Sequence, residues 1–355
     1  MKLYQIVNSI EDNNTAGSKA VQDISAIAYE IGFEKLVINN CNNQKTLYAK
    51  LCRQIGFARE WENIMHRIEN NSILVLQHPF YIRQLNRNRA LRKLKKNHVK
   101  FIGVVHDVES LRKVYDSRYY KKEFIFMINY ADVLIVHNER MAEYFRKLGI
   151  PNEKIVLLKI FDYISIDNKV KRNVFEKKIT IAGNLDAKKS KYIGKLGRLK
   201  NINIDLFGPN FDEKMSSYKN INYKGSFPAN EIPQMLTSGF GLVWDGDSIK
   251  TCKGNTGEYL KYNNPHKLSL YLSSGLPVII WKEAAEAEFV LKNGVGIAVQ
   301  SLYDIEKIFS DMSYNDYCIM QNNVQNVAKK LEQGWYTKNA LNNAIEKLCG
   351  DNIMI

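Results

Sequence analysis

A helix predicted to start at Asn264 carries the residue types that could bind a diphosphate. Asn264 suits its N-cap, Pro265 suits its first helical position, and Gly275 suits its left-handed end. The first turn then holds His266 and Lys267, whose charge has the wrong sign for the helix dipole unless an anion neutralises it. Free backbone N–H groups beside a histidine and a lysine would form an anion site. The alternative is an ordinary capped helix.

Two carboxylates and a glycine-rich loop lie just upstream. Asp245 and Asp247 form a DxD pattern, which binds metals in many sugar-nucleotide enzymes, although turn residues at a strand end explain it equally well. We keep Asp245 as a candidate nucleotide-binding residue and expect the following loop to be flexible and to close over a ligand. The candidate residues of this loop are Gly254, Asn255, Thr256, Gly257 and Tyr259. The ring of Tyr259 could stack on a base or a sugar.

Two further glycines end predicted strands. Gly183 allows close approach of the backbone, and Gly208 forms a similar turn after the next strand. Lys189 follows the first turn and could offset the charge that grows on a leaving phosphate. Lys188 and Lys191 are close alternatives, and surface lysines before a helix are an equally good explanation of all three.

The first half offers a general base. Asp107 follows a predicted strand and is our first choice for deprotonating an acceptor hydroxyl, with His106 as the second. Asp107 could instead only cap the next helix. The loop 14–20 follows the first strand, and Ser18 is expected to be the N-cap of the helix after it.

Short, uniformly apolar runs separated by amphipathic segments position these residues. Such a pattern indicates a parallel sheet covered by helices on both faces, which is a doubly wound α/β fold. A polar stretch at 162–178 predicts a linker between two such alternations. The predicted strands are 3–7, 35–38, 73–77, 101–105, 133–136 and 155–158, and then 179–182, 204–207, 242–244, 278–281 and 296–299, with helices between them.

The chain is therefore predicted to be two Rossmann-like domains that face a cleft. The domains are 1–165 and 166–335, and a C-terminal helix at 336–355 is expected to pack back on the first. Ligands of open α/β sheets bind at the carboxyl ends of the strands. The candidate residues follow strands and so should line the cleft.

Composition narrows the function classes. The 355 residues are 45% hydrophobic and 25% charged, which is globular, and no apolar run approaches the ~18–20 residues of a membrane span. The net charge of +14 predicts an anionic partner. A solvated helix or a docking face for an anionic membrane explains the basic cluster in the middle of the first half. Nucleic acid is not expected, since neither zinc-finger spacing nor an RNP-type strand is present. The cluster comprises Arg83, Arg87, Arg89, Arg92, Lys93, Lys95, Lys96 and Lys100, with no acidic residue between them.

The absence of several well-known motifs argues against dinucleotide-dependent, P-loop, zinc-protease and serine-hydrolase chemistry. The sequence has no GxGxxG after its first strand, no P-loop, no HExxH and no GxSxG. Its five cysteines include no CxxC pair, so we expect reduced thiols in a cytoplasmic protein and no cysteine-based metal site.

The motif-bearing segments resemble bacterial GT-B glycosyltransferases. They are most similar to the group that contains β-1,6-galactofuranosyltransferases and the glucosyltransferases that extend GlcNAc on serine-rich-repeat adhesins. The resemblance spans about residues 1–345. The segments that carry it are 263–278, 244–247 and 254–259, together with 15–20, 106–110 and 136–139, which resemble the galactofuranosyltransferase branch.

The resemblance implies a UDP-sugar donor bound mainly by the second domain, with an acceptor on the side of the first and neither metal nor cofactor. It also implies positions for the site residues. These are Asn184 and Lys189 near the diphosphate, Gly208 and 254–259 near the nucleotide, 264–267 at the diphosphate, and Thr15 and Gly17 closing the site from the first domain.

The resulting expectation is transfer of a hexose (galactofuranose, glucose or galactose) from a UDP-sugar to a glycan or glycoprotein of the bacterial surface. A catalytically silent partner subunit and a sugar-nucleotide epimerase are the alternatives. Peripheral contact with an anionic membrane and homo-oligomerisation stay open.

Overall fold

Two parallel six-stranded sheets organise the chain. The structure is a computed structural model that describes residues 1–9, 16–39, 46–114, 118–165 and 173–350. The strands of the first sheet are β1 (Leu3–Asn8), β2 (Glu34–Ile38), β3 (Ile73–His78), β4 (Lys100–Val105), β5 (Val133–Val136) and β6 (Ile155–Leu157). The strands of the second sheet are β7 (Val174–Ala182), β8 (Asn203–Phe207), β9 (Ile221–Gly225), β10 (Ser238–Val243), β11 (Val278–Trp281) and β12 (Gly296–Val299).

Helices connect the strands in both halves. The helices of the first half are α1 (Ala16–Glu30), α2 (Leu47–Arg67), α3 (Arg87–Lys96), α4 (Glu109–Arg112), α5 (Arg118–Tyr130) and α6 (Glu139–Lys147). Those that follow are α7 (Ile232–Met235), α8 (Asn255–Tyr259), α9 (His266–Ser273), α10 (Ala287–Lys292), α11 (Asp304–Asp311), α12 (Tyr314–Glu332) and α13 (Trp335–Cys349).

The first sheet has the strand order β2-β1-β3-β4-β5-β6, and all neighbours are parallel. Its six predicted strands are confirmed. One face is covered by α1 and α13, whose apolar residues share a core with β3, β4 and β5. The other face is covered by α2 and α3 beside β1, β2 and β3, and by α5 and α6 beside β5. Helices on both faces explain why these strands are apolar on both sides.

The second sheet has the strand order β12-β11-β10-β7-β8-β9, the 3-2-1-4-5-6 order of dinucleotide-binding Rossmann domains. The prediction of two Rossmann-like domains is thus confirmed. The boundary at residue 165 stays a prediction.

Three details of the second half differ from the prediction. The sequence analysis missed β9, because this edge strand is mostly exposed and polar after Ile221. The linker is shorter than predicted, since β7 already begins at Val174 with exposed residues. The connections before and after β8 contain 3₁₀ helices at Ile193–Arg198 and Glu213–Ser217, where α-helices were expected.

The carboxyl edges of the two sheets meet. The amide of Val108, which follows β4, donates to the hydroxyl of Tyr259 at 2.9 Å. The side chain of Asn138, which follows β5, donates to Glu286 beyond β11 at 2.8 Å. These contacts place the loops after the strands of both domains around one cleft. Across the described ranges, no helix is both long enough and apolar enough to cross a membrane.

Candidate active site

The helix predicted at the diphosphate is present as α9. It runs from His266 to Ser273, and Leu268, Tyr271 and Leu272 are buried against the sheet, as the spacing predicted. The hydroxyl of Tyr271 accepts a hydrogen bond from the backbone N–H of Ala182 at the end of β7, at 2.9 Å. This bond and the apolar contacts fix the helix against β7 and β10.

The start and the end of α9 differ in how well they were predicted. Gly275 has φ of 81° and ends the helix in the left-handed region, as expected. The N-cap position belongs to Pro265, so the prediction that Asn264 caps the helix was wrong. The amide side chain of Asn264 is buried and donates instead to the carbonyl of Lys159 at 3.3 Å.

The backbone N–H groups at the start of α9 are available to a ligand. Leu268 donates to the carbonyl of Pro265, but the N–H groups of His266 and Lys267 make no hydrogen bond within the part of the chain that the structure describes. The N-terminus of a helix carries a partial positive charge, so two free N–H groups there favour an anion.

Lys267 adds a full charge at the same place. Its side chain is half-buried and has no ion-pair or hydrogen-bond partner among the described residues. A Cβ atom placed on Gly183 would lie 3.6 Å from Cε of Lys267, so the lysine extends towards the turn after β7. Helix α9 and β7 thereby bring an unpaired ammonium group to the carboxyl edge of the second sheet.

That turn is built by two glycines. Gly183 has φ of 137° and Gly208 has φ of 142°, both conformations that favour glycine. A Cβ on Gly208 would lie 1.8 Å from the carbonyl oxygen of Gly183, so no side chain fits between the two turns. The two turns follow the carboxyl ends of β7 and β8, next to the switch point between β7 and β10, where ligands of this fold bind.

The polar residues after β7 are less closely tied to that place. Asn184 is exposed, and its side-chain oxygen accepts from the amide of Asp186 at 3.0 Å and from Asn210 at 2.9 Å. Lys189 is exposed in the following turn, whereas Lys191 pairs with Asp247 at 3.3 Å. The assignment of Lys189 to the diphosphate stays a prediction, and Lys267 is the lysine found beside the start of α9.

Asp245 organises the loop after β10. Its Oδ1 accepts from the hydroxyl of Ser190 at 2.8 Å, from the amide of Gly246 at 2.6 Å and from the hydroxyl of Thr256 at 3.0 Å. The described residues contain no cluster of three or more His, Cys, Asp or Glu side chains that could hold a metal ion. The geometry favours the turn interpretation of the DxD pattern.

The glycine-rich loop at 254–259 is a short helix, α8, and not the flexible segment that was expected. Gly254 precedes it with φ of 82°. A Cβ on Gly257 would lie 2.8 Å from the carbonyl carbon of Cys252, which requires glycine there. The side chain of Asn255 donates to the carbonyl of Lys113 at 3.4 Å, across the cleft.

Tyr259 has a different role from the expected one. Its ring is 3% exposed, and its hydroxyl accepts the hydrogen bond from Val108 described above. A buried ring cannot stack on a base or a sugar in the cleft. Tyr259 joins the domains instead.

Asp107 lies on the opposite side of the cleft. Its Oδ2 pairs with Arg112 at 2.6 Å and accepts from the hydroxyl of Tyr81 at 3.2 Å. The N-cap of α4 is Val108, so Asp107 does not cap that helix. Burial raises the pKa of Asp107 to about 6, although the charge of Arg112 opposes this shift. Asp107 therefore ionises just below neutral pH.

His106 is held within the first domain. Its Nε2 lies 2.7 Å from the side-chain oxygen of Gln77, and its ring stacks on Phe161 with centroids 5.4 Å apart. Burial lowers the pKa of His106 to about 3, with the neighbouring His137 and His266 adding to the effect. The imidazole is neutral at pH 7.

His266 also differs from the expectation of a basic first turn. Its ring lies among Tyr163 and Phe161, and its Nε2 has no hydrogen-bond partner within the described ranges. Burial lowers the pKa of His266 to about 3, and the charge of Lys19 contributes. Of the two basic residues at the start of α9, only Lys267 brings charge to the site at neutral pH.

Lys19 of the first domain, which the sequence analysis did not select from the loop 14–20, lies close enough to the start of α9 for its charge to act on His266. Lys19, on α1, pairs with Asp23, and its Nζ donates to the carbonyl of Ile164 at 2.7 Å. Helix α1 packs against α9. The helix begins at Ala16, so Gly17 lies in its first turn, and Ser18 is inside the helix and is not its N-cap. Thr15 lies outside the described residues.

Comparisons with known proteins agree with this architecture. Residues 3–160 match the N-terminal domain and residues 179–344 the C-terminal domain of the family described as Glucosyltransferase 3-like. The chain is 32% identical over 337 residues to beta-1,6-galactofuranosyltransferase WbbI of Escherichia coli (strain K12), covering 94% of this chain and 95% of that protein. It is 25% identical over 328 residues to Glucosyltransferase 3 of Streptococcus gordonii, covering 92% and 93%. An alpha-glucosyltransferase in complex with UDP-glucose and DNA superposes with a TM-score of 0.55 over 99% of both chains, at 10% identity.

Two Rossmann-like domains whose carboxyl edges face one cleft form the GT-B fold of many glycosyltransferases. The chain belongs to the Glucosyltransferase 3-like family. The resemblance inferred from the motif-bearing segments is thus confirmed.

Proposed function

We propose that the protein transfers a hexose from a UDP-sugar to a hydroxyl group of a bacterial surface glycan or glycoprotein. The observation that carries this proposal is the start of α9 beside the Gly183 turn, where two backbone N–H groups and the side chain of Lys267 lie together without a partner among the described residues. A diphosphate supplies the negative charge and the oxygen acceptors that these positively charged donors need.

Lys267 and the α9 dipole would stabilise the leaving group. When the bond to the anomeric carbon breaks, negative charge grows on the UDP oxygen. Donors already aimed at that position stabilise the transition state more than the ground state. The contacts of Asp245 support a reaction without metal. Its Oδ1 already accepts three hydrogen bonds, from Ser190, Gly246 and Thr256.

Asp107 would take the proton of the acceptor hydroxyl. With a pKa near 6 it is mainly ionised at pH 7, yet it is more basic than an ordinary aspartate. His106 is a weaker choice, because its protonated form is strongly disfavoured by burial. If the donor is α-linked and the product β-linked, this base serves a reaction that inverts the anomeric carbon.

We place the reaction in the cytoplasm. All four cysteines that the structure describes, Cys52, Cys252, Cys318 and Cys349, are free thiols, as expected in a reducing compartment. Fractionation of cells that express the full chain tests this placement, and recovery only from a secreted or periplasmic fraction would contradict it.

Replacement of Lys267 by alanine tests the donor site. We expect UDP affinity, measured by calorimetry, to fall and turnover to drop at least tenfold, because the ammonium group facing the diphosphate is lost. Turnover is followed as UDP release from UDP-galactofuranose, UDP-glucose and UDP-galactose. Lys250→Ala removes an exposed lysine of the same domain and serves as the control. Unchanged UDP affinity in Lys267→Ala would contradict the donor site, and a chain that binds none of these nucleotides would be a silent subunit.

Asp107→Asn tests the base in the same assay. The amide keeps the shape of the side chain but cannot accept a proton. We expect transfer to acceptor to fall at least tenfold while UDP affinity stays within twofold, because the donor lies on the other domain. Transfer at the normal rate would reduce Asp107 to the partner of Arg112.

A further inference from the structure

Helix α2 exposes an apolar stripe that has no partner within the described part of the chain. Leu47, Tyr48, Leu51 and Ile55 lie on its first half with 84%, 78%, 61% and 43% of their surface exposed. Positions 47, 51 and 55 are four residues apart and so share one face of the helix. The opposite face, with Phe57 and Trp61 further along, packs into the core. The residues of the stripe therefore do not contribute to the core of the domain.

The segment after β3 extends this stripe. Tyr81, Ile82 and Leu85 are exposed. Gln54 of α2 holds the segment through two hydrogen bonds, since its amide donates to the carbonyl of Arg83 at 2.7 Å and its oxygen accepts from the amide of Leu85 at 2.9 Å. The two sets of apolar side chains thus belong to one connected surface.

Helix α3 adds positive charge to the same layer. It packs beside α2 over the same face of the first sheet. Arg87 points inward to Glu123, and Lys95 pairs with Asp132, so these two members of the basic cluster are not free to bind a surface. The remaining six are exposed, namely Arg83, Arg89, Arg92, Lys93, Lys96 and Lys100.

We propose that this α2–α3 face, made of the apolar residues of α2 and 81–85 and the six exposed basic residues, binds the surface of an anionic lipid bilayer. Apolar side chains can enter the boundary between headgroups and acyl chains while lysine and arginine contact the phosphates. The structure provides both components side by side, and the segment 83–100 contains no acidic residue to oppose an anionic surface.

Charge complementarity selects this occupant over a second copy of the chain. A two-fold dimer through this face would place the same patch on both sides. Six cations would then lie opposite the same six cations without acidic partners in 83–100. An anionic bilayer removes this repulsion and covers the apolar residues.

The α2–α3 face lies beside the acceptor side of the cleft. The segment 81–85 follows the carboxyl end of β3, and the hydroxyl of Tyr81 donates to Asp107. A bilayer on this face would therefore be next to the proposed base. Binding itself does not depend on the proposed transfer reaction, so each can be tested when the other fails.

Vesicle flotation with the full chain tests the proposal. The vesicles are phosphatidylcholine with one quarter phosphatidylglycerol, and pure phosphatidylcholine for comparison. A charge variant carries Arg89→Glu, Arg92→Glu, Lys93→Glu and Lys96→Glu, and an apolar variant carries Leu47→Ser, Leu51→Ser and Leu85→Ser. The matched control reverses four exposed lysines of the second domain, with Lys200→Glu, Lys219→Glu, Lys307→Glu and Lys329→Glu.

We expect the unmodified chain and the matched control to float with anionic vesicles and not with neutral ones. The charge variant should bind at least tenfold more weakly, and the apolar variant should lose the binding that persists at high salt. Thermal melting of each variant confirms that the exposed substitutions leave the fold intact. Equal loss in the matched control, no binding by the unmodified chain, or an oligomer that the apolar variant dissociates would overturn the proposal.

Discussion

Glu286 is a buried carboxyl at the junction of the domains. It is 1% exposed, and one of its oxygens accepts a hydrogen bond from Asn138 at 2.8 Å. Burial raises the pKa of Glu286 to about 8, and the charge of Glu288 adds to the shift. The folded protein therefore holds a proton here that the unfolded chain releases near its ordinary pKa of about 4.5.

The raised pKa predicts a loss of stability between about pH 4.5 and pH 8. In this window the folded state binds more protons at Glu286 than the unfolded state does, so the free energy of unfolding falls as pH rises. Glu286→Gln keeps an oxygen for Asn138 and removes the titration. We expect the melting temperature of the variant to match the unmodified protein at pH 4 and to exceed it by several degrees at pH 8. A difference that is constant with pH would show that Glu286 does not titrate in this way.

Residue types and positions could predict one side of the site but not its long-range partners. Lys267 was selected because it lies in the first turn of a capped helix, and Asp107 because a charged residue after a strand of a parallel sheet faces the ligand edge. Glu286 was not, since its partner Asn138 is 148 positions away in sequence. His266 was predicted to add charge, and only the rings packed around it reveal that burial keeps it neutral.

At the scale of elements, apolar patterning located the strands that are buried on both faces. It missed β9, whose exposed residues at the sheet edge carry no such pattern. The glycines of 254–259 led to the prediction of a flexible loop where α8 lies. Gly257 is there because a side chain would collide with Cys252, and not because the segment is mobile. The start of α9 shows the same limit, since the side chain of Asn264 bonds to Lys159 of the first domain and leaves the cap position.

At the scale of the whole molecule, side chains of one domain complete the hydrogen bonds of the other. Asn138 caps α6 with its oxygen, which accepts from Met141 at 3.0 Å, and its amide donates to Tyr262 and Glu286 of the second domain. The backbone N–H of Asn264 donates to Nδ1 of His137 at 3.2 Å. The orientation of α9 towards the first domain thus depends on contacts that no single domain contains.

Tyr259→Phe tests how strongly the two domains are joined. The change removes the hydroxyl, which accepts from Val108 and also bonds to the carboxylate of Asp107, so a buried N–H of the first domain loses its partner. An unsatisfied buried donor costs about 1–3 kcal/mol, and we expect urea denaturation to show a loss of that size. UDP affinity should stay within about twofold, since the ring does not reach the cleft. Tyr303→Phe, at a tyrosine that is 45% exposed, is the control and should leave stability unchanged. If Tyr259 only stacked on a ligand, removing its hydroxyl would not change the free energy of unfolding. Unchanged stability in Tyr259→Phe would therefore contradict its role as the connection between domains.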